Sequence, residues 1–546
     1  MKKIAIYDRY LSTAGGGERY SCKMAEVLSR VPYYSVELVT DIFTDLDSLS
    51  EKLNLDLSRV RLRIFPYISD DYARRLTGSY DLFINATYLS SLSAHGRKNI
   101  YLCYFPTPFD VDFGFLHRFL LLFFRQPARW VFRLAANMTR GFSGIAVEEG
   151  LYEPRRFMLR RGSWSCGWVS LAVSRGRGFR LGIKNPPGSL LEDMKVDIRV
   201  YRKEDESGGK SDPVFEYRQT LGRGQRQTLD PGLDGDEEGY RMIIGSDTFT
   251  PSKEKDHAAD SRKLGAVLYD ESRTGILRRL VLKAIGYVPL FLTSFPKDLR
   301  FLDSYQKIVS ISEYSSYWIQ KYWKRQSTIL FPPVDTDSFA SSKNIPREKA
   351  ILSVGRFFPR HHNKKQYELA AAFIDMVKKY PREMEGYKLY LAGGLEDRPG
   401  HMEYVESIRK KSEGYPVEVM DNISFERLAR LFGKASIFWH AAGLGEDERS
   451  HPEKFEHFGI TTVEAMSAGC IPVVIRKGGQ KEIVRDGVNG FTFLDLEELK
   501  EKTLDIIRGE IDEEAVRKEA AAGSRRFSNE RFARDLLSVV EDVMKP

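Results

Sequence analysis

Cysteine is scarce: Cys22, Cys103, Cys166 and Cys470 are the four in 546 residues, and they are widely scattered. This excludes a disulfide framework and the paired spacing of a zinc site, and it fits free thiols in a reducing compartment. No run reaches the roughly 18 apolar residues that a membrane-spanning helix needs. The opening stretch Met1-Lys-Lys-Ile-Ala-Ile-Tyr-Asp8 has charge but no long apolar region. It reads as a buried strand, not a secretory signal. The Gly-x-Gly-x-x-Gly of a dinucleotide fold is missing, as is the Gly-Lys-Ser/Thr ending of a phosphate-binding P-loop. Asp110-Val-Asp112 has a metal-like spacing but lies outside any nucleotide-like context, so no metal is expected. No nucleic-acid motif is present either.

What is present is ordinary apolar content, 42%, and a basic balance of +8. That balance suits phosphorylated substrates or an anionic membrane surface. The length calls for two or three domains. Over the first hundred residues apolar strands alternate with helical stretches. Lys3–Tyr7, Val36–Thr40, Val60–Phe65, Leu82–Asn85 and Asn99–Tyr104 read as strands, and Arg19–Leu28 as a helix. The same grammar returns after about residue 300, with strands expected at Lys307–Ile311, Ala350–Val354, Lys388–Ala392, Ile437–His440, Ile471–Ile475 and Gly490–Phe493. Apolar strands that alternate with helices imply parallel sheets covered on both faces. Between them, short alternating runs broken by Gly, Pro and Asp clusters predict an all-β insertion that resembles a sandwich. The expected division is 1–150 with 271–330, an insertion over 151–270, a second α/β domain over 331–525, and a helix over 526–546 that crosses back to the first domain.

The densest chemistry lies in Glu456-His-Phe-Gly-Ile-Thr-Thr-Val-Glu464. A loop entering a helix at Gly459 aims backbone N–H groups and the positive end of the helix dipole at one point, which suits a phosphate or diphosphate. Glu464 falls about one turn into that helix, within reach of a ribose. Glu456 precedes the loop, beside whatever the far phosphate carries. Upstream, Arg356 ends a strand, and Lys364 or its neighbour Lys365 opens the next helix. Arg and Lys from one loop can clamp a diphosphate, by a planar fork and a point charge. Gly15-Gly16-Gly17-Glu18 follows the first strand, where such sheets bind ligands.

This pattern resembles family 4 of the retaining glycosyltransferases, which have the GT-B fold. The likeness rests on the E-x7-E element, Ala465-Met-Ser-Ala-Gly469 with Pro472-Val after it, and Gly478-Gly-x-x-Glu482-Ile-Val. It rests also on Gly487-x-Asn-Gly-Phe491, Leu391-Ala-Gly393-Gly394, the Arg356/Lys364 pair and the Gly15–Glu18 loop. It covers roughly the first hundred and the last 240 residues, not the insertion. The resemblance implies two Rossmann-like doubly wound domains facing a cleft. Glu456 would contact the transferred sugar, Glu464 the ribose, and the backbone of Phe458, Gly459, Ile460 and Thr461 the phosphates. Arg356 and Lys364 would neutralise the departing nucleoside diphosphate. Gly393 and His440 fall on the donor side. Trp439-His440 and Glu456-His457-Phe458-Gly459 look most like α-1,2-mannosyltransferases acting on lipid-linked oligosaccharide, which hints at GDP-mannose. The family's first-domain His is missing: the matching segment is Tyr101-Leu-Cys-Tyr104-Phe-Pro106-Thr-Pro108. Tyr104 stands near that place on the acceptor side.

Residues 115–134 and 275–295 mix large apolar side chains with Arg and Lys and contain no acid. Basic amphipathic helices of this kind lie in a membrane interface. The expected function is therefore a retaining hexosyltransferase that uses a GDP- or UDP-sugar and no cofactor. It would act on a glycan or lipid-linked glycan in cell-envelope polysaccharide synthesis. The expected location is cytoplasmic, peripheral at the inner face of the plasma membrane. The rivals are a sugar phosphorylase or sucrose-type synthase on the same fold, and a non-catalytic scaffold whose insertion binds glycan. Nucleic acid is not an expected partner.

Overall fold

The computed structural model describes residues 1–13, 15–41, 44–64, 70–109, 114–139, 145–152, 162–173, 179–202, 212–233, 239–251, 263–271, 292, 298–340, 345–359, 363–396 and 399–545. The chain divides into two compact units, residues 1–100 with 108–306 and residues 101–107 with 307–546.

The first unit opens with parallel strands β1 (Lys2–Tyr7), β2 (Tyr34–Thr40), β3 (Arg61–Ile64) and β4 (Leu82–Asn85), in the order β4-β1-β2-β3. Ile4, Ala5, Ile6, Leu82, Phe83 and Ile84 are fully buried. Unbroken burial along a strand is what a parallel sheet covered on both faces requires. The next strand, β5 (Lys98–Cys103), carries the chain into the second unit at residue 101.

The insertion is antiparallel, as expected. Its strands are β6 (Ile145–Leu151), β7 (Ser163–Val173), β8 (Leu181–Lys184), β9 (Asp193–Arg202), β10 (Phe215–Gly222), β11 (Arg226–Leu229), β12 (Tyr240–Ser246) and β13 (Val267–Asp270). They form one sheet in the order β10-β9-β12-β7-β13-β8-β11, with β6 also on β7. Long β7 serves both halves. Its residues 168–173 pair with β12, and Ser163 and Trp164 pair with β13. Gly167 stands between the two registers at φ +98°, where a Cβ would meet the Thr248 side chain. The two halves enclose a common core that includes Val169, Ile198, Leu181 and Leu268, so a sandwich-like body results from one folded sheet. The short runs legible in the sequence are Gly167–Val173, Phe179–Ile183, Val196–Tyr201, Val214–Arg218 and Arg241–Ile244; strands β6, β11 and β13 go beyond them, and β6 begins ahead of residue 151. Trp164 packs edge-on to Phe249, with centroids 5.8 Å apart, as core.

In the second unit β14 (Lys307–Ser310) and β15 (Thr328–Ile329) pair in parallel around the helix Glu313–Trp323. A six-stranded parallel sheet follows: β16 (Glu348–Val354), β17 (Lys388–Gly393), β18 (Val417–Asp421), β19 (Ala435–His440), β20 (Ile471–Ile475) and β21 (Phe491–Phe493). Their order is β18-β17-β16-β19-β20-β21. One core gathers Phe373, Met376, Trp439 and Leu499, and another Phe339, Leu352, Phe432 and Phe438. Neighbours along β19 thus feed opposite faces, as strand geometry demands. Strand order reverses between β16 and β19, and in such sheets the crevice beyond the strand C-termini at the reversal is where ligands bind. The helix Asn529–Met544 belongs to this unit, where Asp542 receives Lys307 at 2.5 Å.

The basic segment 115–134 lies within a helix, Phe115–Thr139. The second basic segment, 275–295, lies outside the described residues except for Leu292, and Asp110–Asp112 lies wholly outside them. Among the described residues no helix is long and apolar enough to cross a membrane.

Candidate functional site

The reversal point brings β16 and β19 side by side, and their C-terminal extensions carry the expected residues. After β16 the chain runs through Gly355 and Arg356 to Lys364. After β19 it runs from His440 to Glu456. Lys364 Nζ donates to Glu456 Oε2 at 2.5 Å, and His440 Nε2 stands 3.0 Å from the same oxygen. The lysine register is thereby fixed. Lys364 meets Glu456, whereas Lys365 turns to Glu446 and Glu368 at 3.8 and 3.9 Å. Burial opposes ionisation of Glu456, but the charge of Lys364 and the hydrogen bond and charge of His440 outweigh it. The carboxyl is held well below its ordinary range. A group with a depressed folded pKa adds stability above its unfolded value, and that contribution is lost as pH falls below it. His440 is buried, and its Nδ1 has no hydrogen-bond partner among the described residues. Arg356 is exposed, with its guanidinium over the Phe358 ring at 4.7 Å and no carboxylate partner among the described residues.

Two glycines make this packing possible. A Cβ on Gly355 would press on Lys364 Cγ at 2.6 Å, and one on Gly393 would run into the Gly355 carbonyl. Gly393 is thus a close-approach position between the ends of β16 and β17.

Gly459 caps the helix Ile460–Ser467 at φ +126°, a conformation that disfavours side chains. Its carbonyl takes the N–H groups of Thr462 and Val463. The N–H groups of Ile460 and Thr461 stand outside the helix's own ladder, as the first turn of a helix dictates. Glu464, one turn in, is buried, 8% exposed. The Phe458 ring is core, between Phe331 and Phe527 at 5.9 and 5.1 Å, so only its backbone faces the helix start. Beneath the loop, Gly479 N donates to Glu456 O at 2.7 Å. A Cβ on Gly479 would meet His457 O at 2.6 Å, which explains the glycine pair before Gln480.

The other side of the loop is held by residues that the sequence reading did not single out. Phe105 stacks on His457, centroids 4.1 Å apart and planes 8° apart. Ser312 Oγ donates to His457 O at 2.6 Å, and Ser315 Oγ donates to Tyr104 O at 2.6 Å. Glu482 accepts the N–H groups of Glu313 and Tyr314 at 2.7 and 2.6 Å, at the start of their helix. Burial pushes its carboxyl up to about 7, against the pull of those two N–H groups. The segment around Tyr104 is therefore a neighbour of the Glu456 loop, with Phe105 providing the ring contact. Glu482 sits in the Gly-Gly-x-x-Glu motif, but its bonds to a distant helix leave no local signal.

In the first unit Gly15 caps the helix Gly16–Ser29, and Glu18 Oε2 accepts the Gly15 N–H at 2.7 Å. Gly16 and Gly17 form the first turn. Nearby Asp8 is buried and accepts from Ser21 Oγ at 2.6 Å. Burial and the charge of Glu18 raise its carboxyl to about 7.

Parts of the chain are similar to known proteins. The chain is 29% identical over 272 residues to GDP-Man:Man(3)GlcNAc(2)-PP-Dol alpha-1,2-mannosyltransferase of Dictyostelium discoideum, covering 47% of this chain and 51% of that protein. To the Homo sapiens protein of the same name it is 30% identical over 242 residues, 42% of this chain and 46% of that one. The chain thus spans about half the length of the curated relatives it matches. A glycosyltransferase from Rickettsia africae superposes over 100% of this chain and 99% of its own, at TM-score 0.49 and 11% identity. A structure of Anabaena HepE in complex with UDP-glucose superposes over 99% and 100%, at TM-score 0.49 and 12% identity. Residues 335–523, which hold β16 to β21 and every side chain of the Lys364–Glu456–His440 cluster, match the family model described as Glycosyl transferases group 1.

Proposed function

We propose that this protein is a retaining glycosyltransferase of the GT-B type, family 4, which moves a hexose from a nucleoside diphosphate to a hydroxyl of a lipid-linked glycan. The observation that carries the reading is the clamped carboxylate: Glu456 kept ionised by Lys364 and His440, four residues ahead of a helix whose first N–H groups stand outside its own ladder. In this reading the N–H groups of Ile460 and Thr461 receive the diphosphate, Glu464 the ribose, and Glu456 the hydroxyls of the sugar. A ligand hydroxyl satisfies the unpaired His440 Nδ1. Arg356 and Lys364 neutralise the charge that grows on the departing phosphate, the main electrostatic demand of the transition state. No resident metal is needed, because those cations and the helix dipole serve the diphosphate.

The names of the relatives support GDP-mannose as donor and a diphosphate-lipid oligosaccharide as acceptor, and in this reading the reaction takes place beside a membrane. A thermal-shift panel of GDP, UDP, ADP and their sugar conjugates tests the donor site on wild type and Glu464→Ala. A ligand at a hundred times its Kd adds about 2.7 kcal/mol of stability. The expected result is a shift with GDP and GDP-mannose that weakens in the variant. The absence of a shift with every nucleotide overturns the reading. Transfer of labelled mannose to extracted lipid-linked oligosaccharide, undiminished by a chelator, tests the remainder.

A further inference from the structure

We propose that Gln480 positions the turn that receives the donor's diphosphate, by taking the Phe458 carbonyl as its partner when the anion docks. Gln480 opens a short helix behind the Glu456 loop and is fully buried. Both its Oε1 and its Nε2 lack a hydrogen-bond partner among the described residues. Folded proteins pair nearly all such groups, and an amide left unpaired in the interior costs stability. Nε2 lies against the backbone at Gly459, 2.6 Å from where a Cβ would stand. The unpaired amide thus stands at the cap of the helix Ile460–Ser467, in the place of the cap side chain that glycine lacks.

The turn beside it has the means to move. Neither the Phe458 carbonyl nor the Gly459 N–H takes part in a hydrogen bond among the described residues. No bond therefore holds the peptide that joins them, although the carbonyls on either side are fixed. His457 O receives Ser312 Oγ, and Gly459 O receives the N–H groups of Thr462 and Val463. Without a Cβ, Gly459 can change φ over a range closed to other residues. An anion at the helix start attracts N–H groups and repels carbonyl oxygens. Rotation of this one peptide answers both demands. It turns the Gly459 N–H toward the phosphate, beside those of Ile460 and Thr461, and the Phe458 carbonyl toward Gln480, whose Nε2 donates to it. The inference rests on the donor-site reading and adds to it a residue that makes its bond only with the diphosphate in place.

The test is titration calorimetry with GDP, or with whichever nucleoside diphosphate the thermal-shift panel selects, on wild type and Gln480→Met. This change keeps the length of the side chain and removes the amide. Urea unfolding of both proteins without nucleotide accompanies it. Q480M is expected to bind the nucleotide about tenfold more weakly, the value of one hydrogen bond. Without nucleotide it is expected to be no less stable than wild type, because an apolar group replaces an unpaired buried amide. A side chain that merely supports the fold would do the opposite, with stability lowered and affinity kept. Equal affinity in the two proteins overturns the inference, and so does a loss of stability in nucleotide-free Q480M. A crystal structure of wild type with the nucleotide depends on no variant: Gln480 Nε2 within hydrogen-bond distance of the Phe458 carbonyl is expected, and an amide still unpaired beside the bound diphosphate overturns the idea. The two readings fail separately. A wild type that binds no nucleotide sinks the donor site, whereas binding that Q480M leaves intact sinks only the role of Gln480.

Discussion

After β1 a glycine starts a helix and a glutamate follows three residues on; before Ile460–Ser467 a glycine starts a helix and a glutamate precedes it by three. In the first turn Glu18 folds back onto the Gly15 N–H, so the helix satisfies part of its own N-terminus. In the second, Glu456 points away to Lys364 and His440, and no side chain caps the helix. The backbones differ too. Gly15 has an ordinary φ of −92°, whereas Gly459 sits at +126° with Gln480 Nε2 2.6 Å from where a Cβ would be. Two turns of similar sequence thus diverge according to where one carboxylate goes. A self-capped helix start has a structural use, and an uncapped one beside clamped charges is suited to an anionic ligand.

The contrast breaks most sharply at Lys364. Lys364→Ala is expected to lower kcat/KM for transfer by about 10²–10³-fold, and to move the acidic limb of the pH–rate profile upward as Glu456 loses the cation that keeps it ionised. An unmoved limb would deny the clamp. Gly459→Ala is expected to cost about 1–3 kcal/mol in urea unfolding, because it forces a side chain into a strained backbone. Gly15→Ala is expected to cost about 0.5–1 kcal/mol, and equal losses would erase the distinction. Glu464→Ala is expected to weaken nucleotide binding about tenfold, the value of one or two lost hydrogen bonds.

Glu482 provides a test by pH. Its folded carboxyl titrates near 7 and its unfolded one near the ordinary 4.5. Between those values the folded state holds the proton and the unfolded state does not. Stability therefore falls as pH rises through that window. Glu482→Gln is expected to flatten this slope relative to wild type. Glu18→Ala is expected to cost about 0.5–1 kcal/mol, as Gly15→Ala does, and to leave the GDP thermal shift unchanged.

Much of this was legible in the sequence. The parallel strands of both units fall close to the predicted runs, because strands buried on both faces must be apolar throughout. The E-x7-E element and the Arg356 and Lys364 positions mark one place in the sequence through residue types that have few other reasons to cluster after strands, and Lys364 and Glu456 do meet there. The choice between Lys364 and Lys365 was not legible, since adjacent lysines differ only in which way the loop turns them. Nor were the supports of the Glu456 loop. Ser312 is 145 positions from His457, and Tyr314 is 168 from Glu482. Contacts at that range are set by the fold and leave no periodicity. The Gly15–Glu18 loop was read for its place after the first strand, and Glu18's bond to the Gly15 N–H went unread although a glycine followed three residues later by a glutamate at a helix start also fits a capping pattern. Short polar β11 escaped notice because its residues at 226–228 lack the apolar alternation that marks a half-buried strand.

Residues 101–107 belong to the second unit although the chain on both sides of them belongs to the first. A truncated protein that starts at Lys307 would retain Arg356, Lys364, His440, Glu456 and Glu464. It would lack the Phe105 ring that stacks on His457 and the Tyr104 carbonyl that receives Ser315. The C-terminal stretch is therefore not a self-sufficient cassette: transplanted alone it would have all these charges but not the seven residues, 101–107, that belong to the same unit.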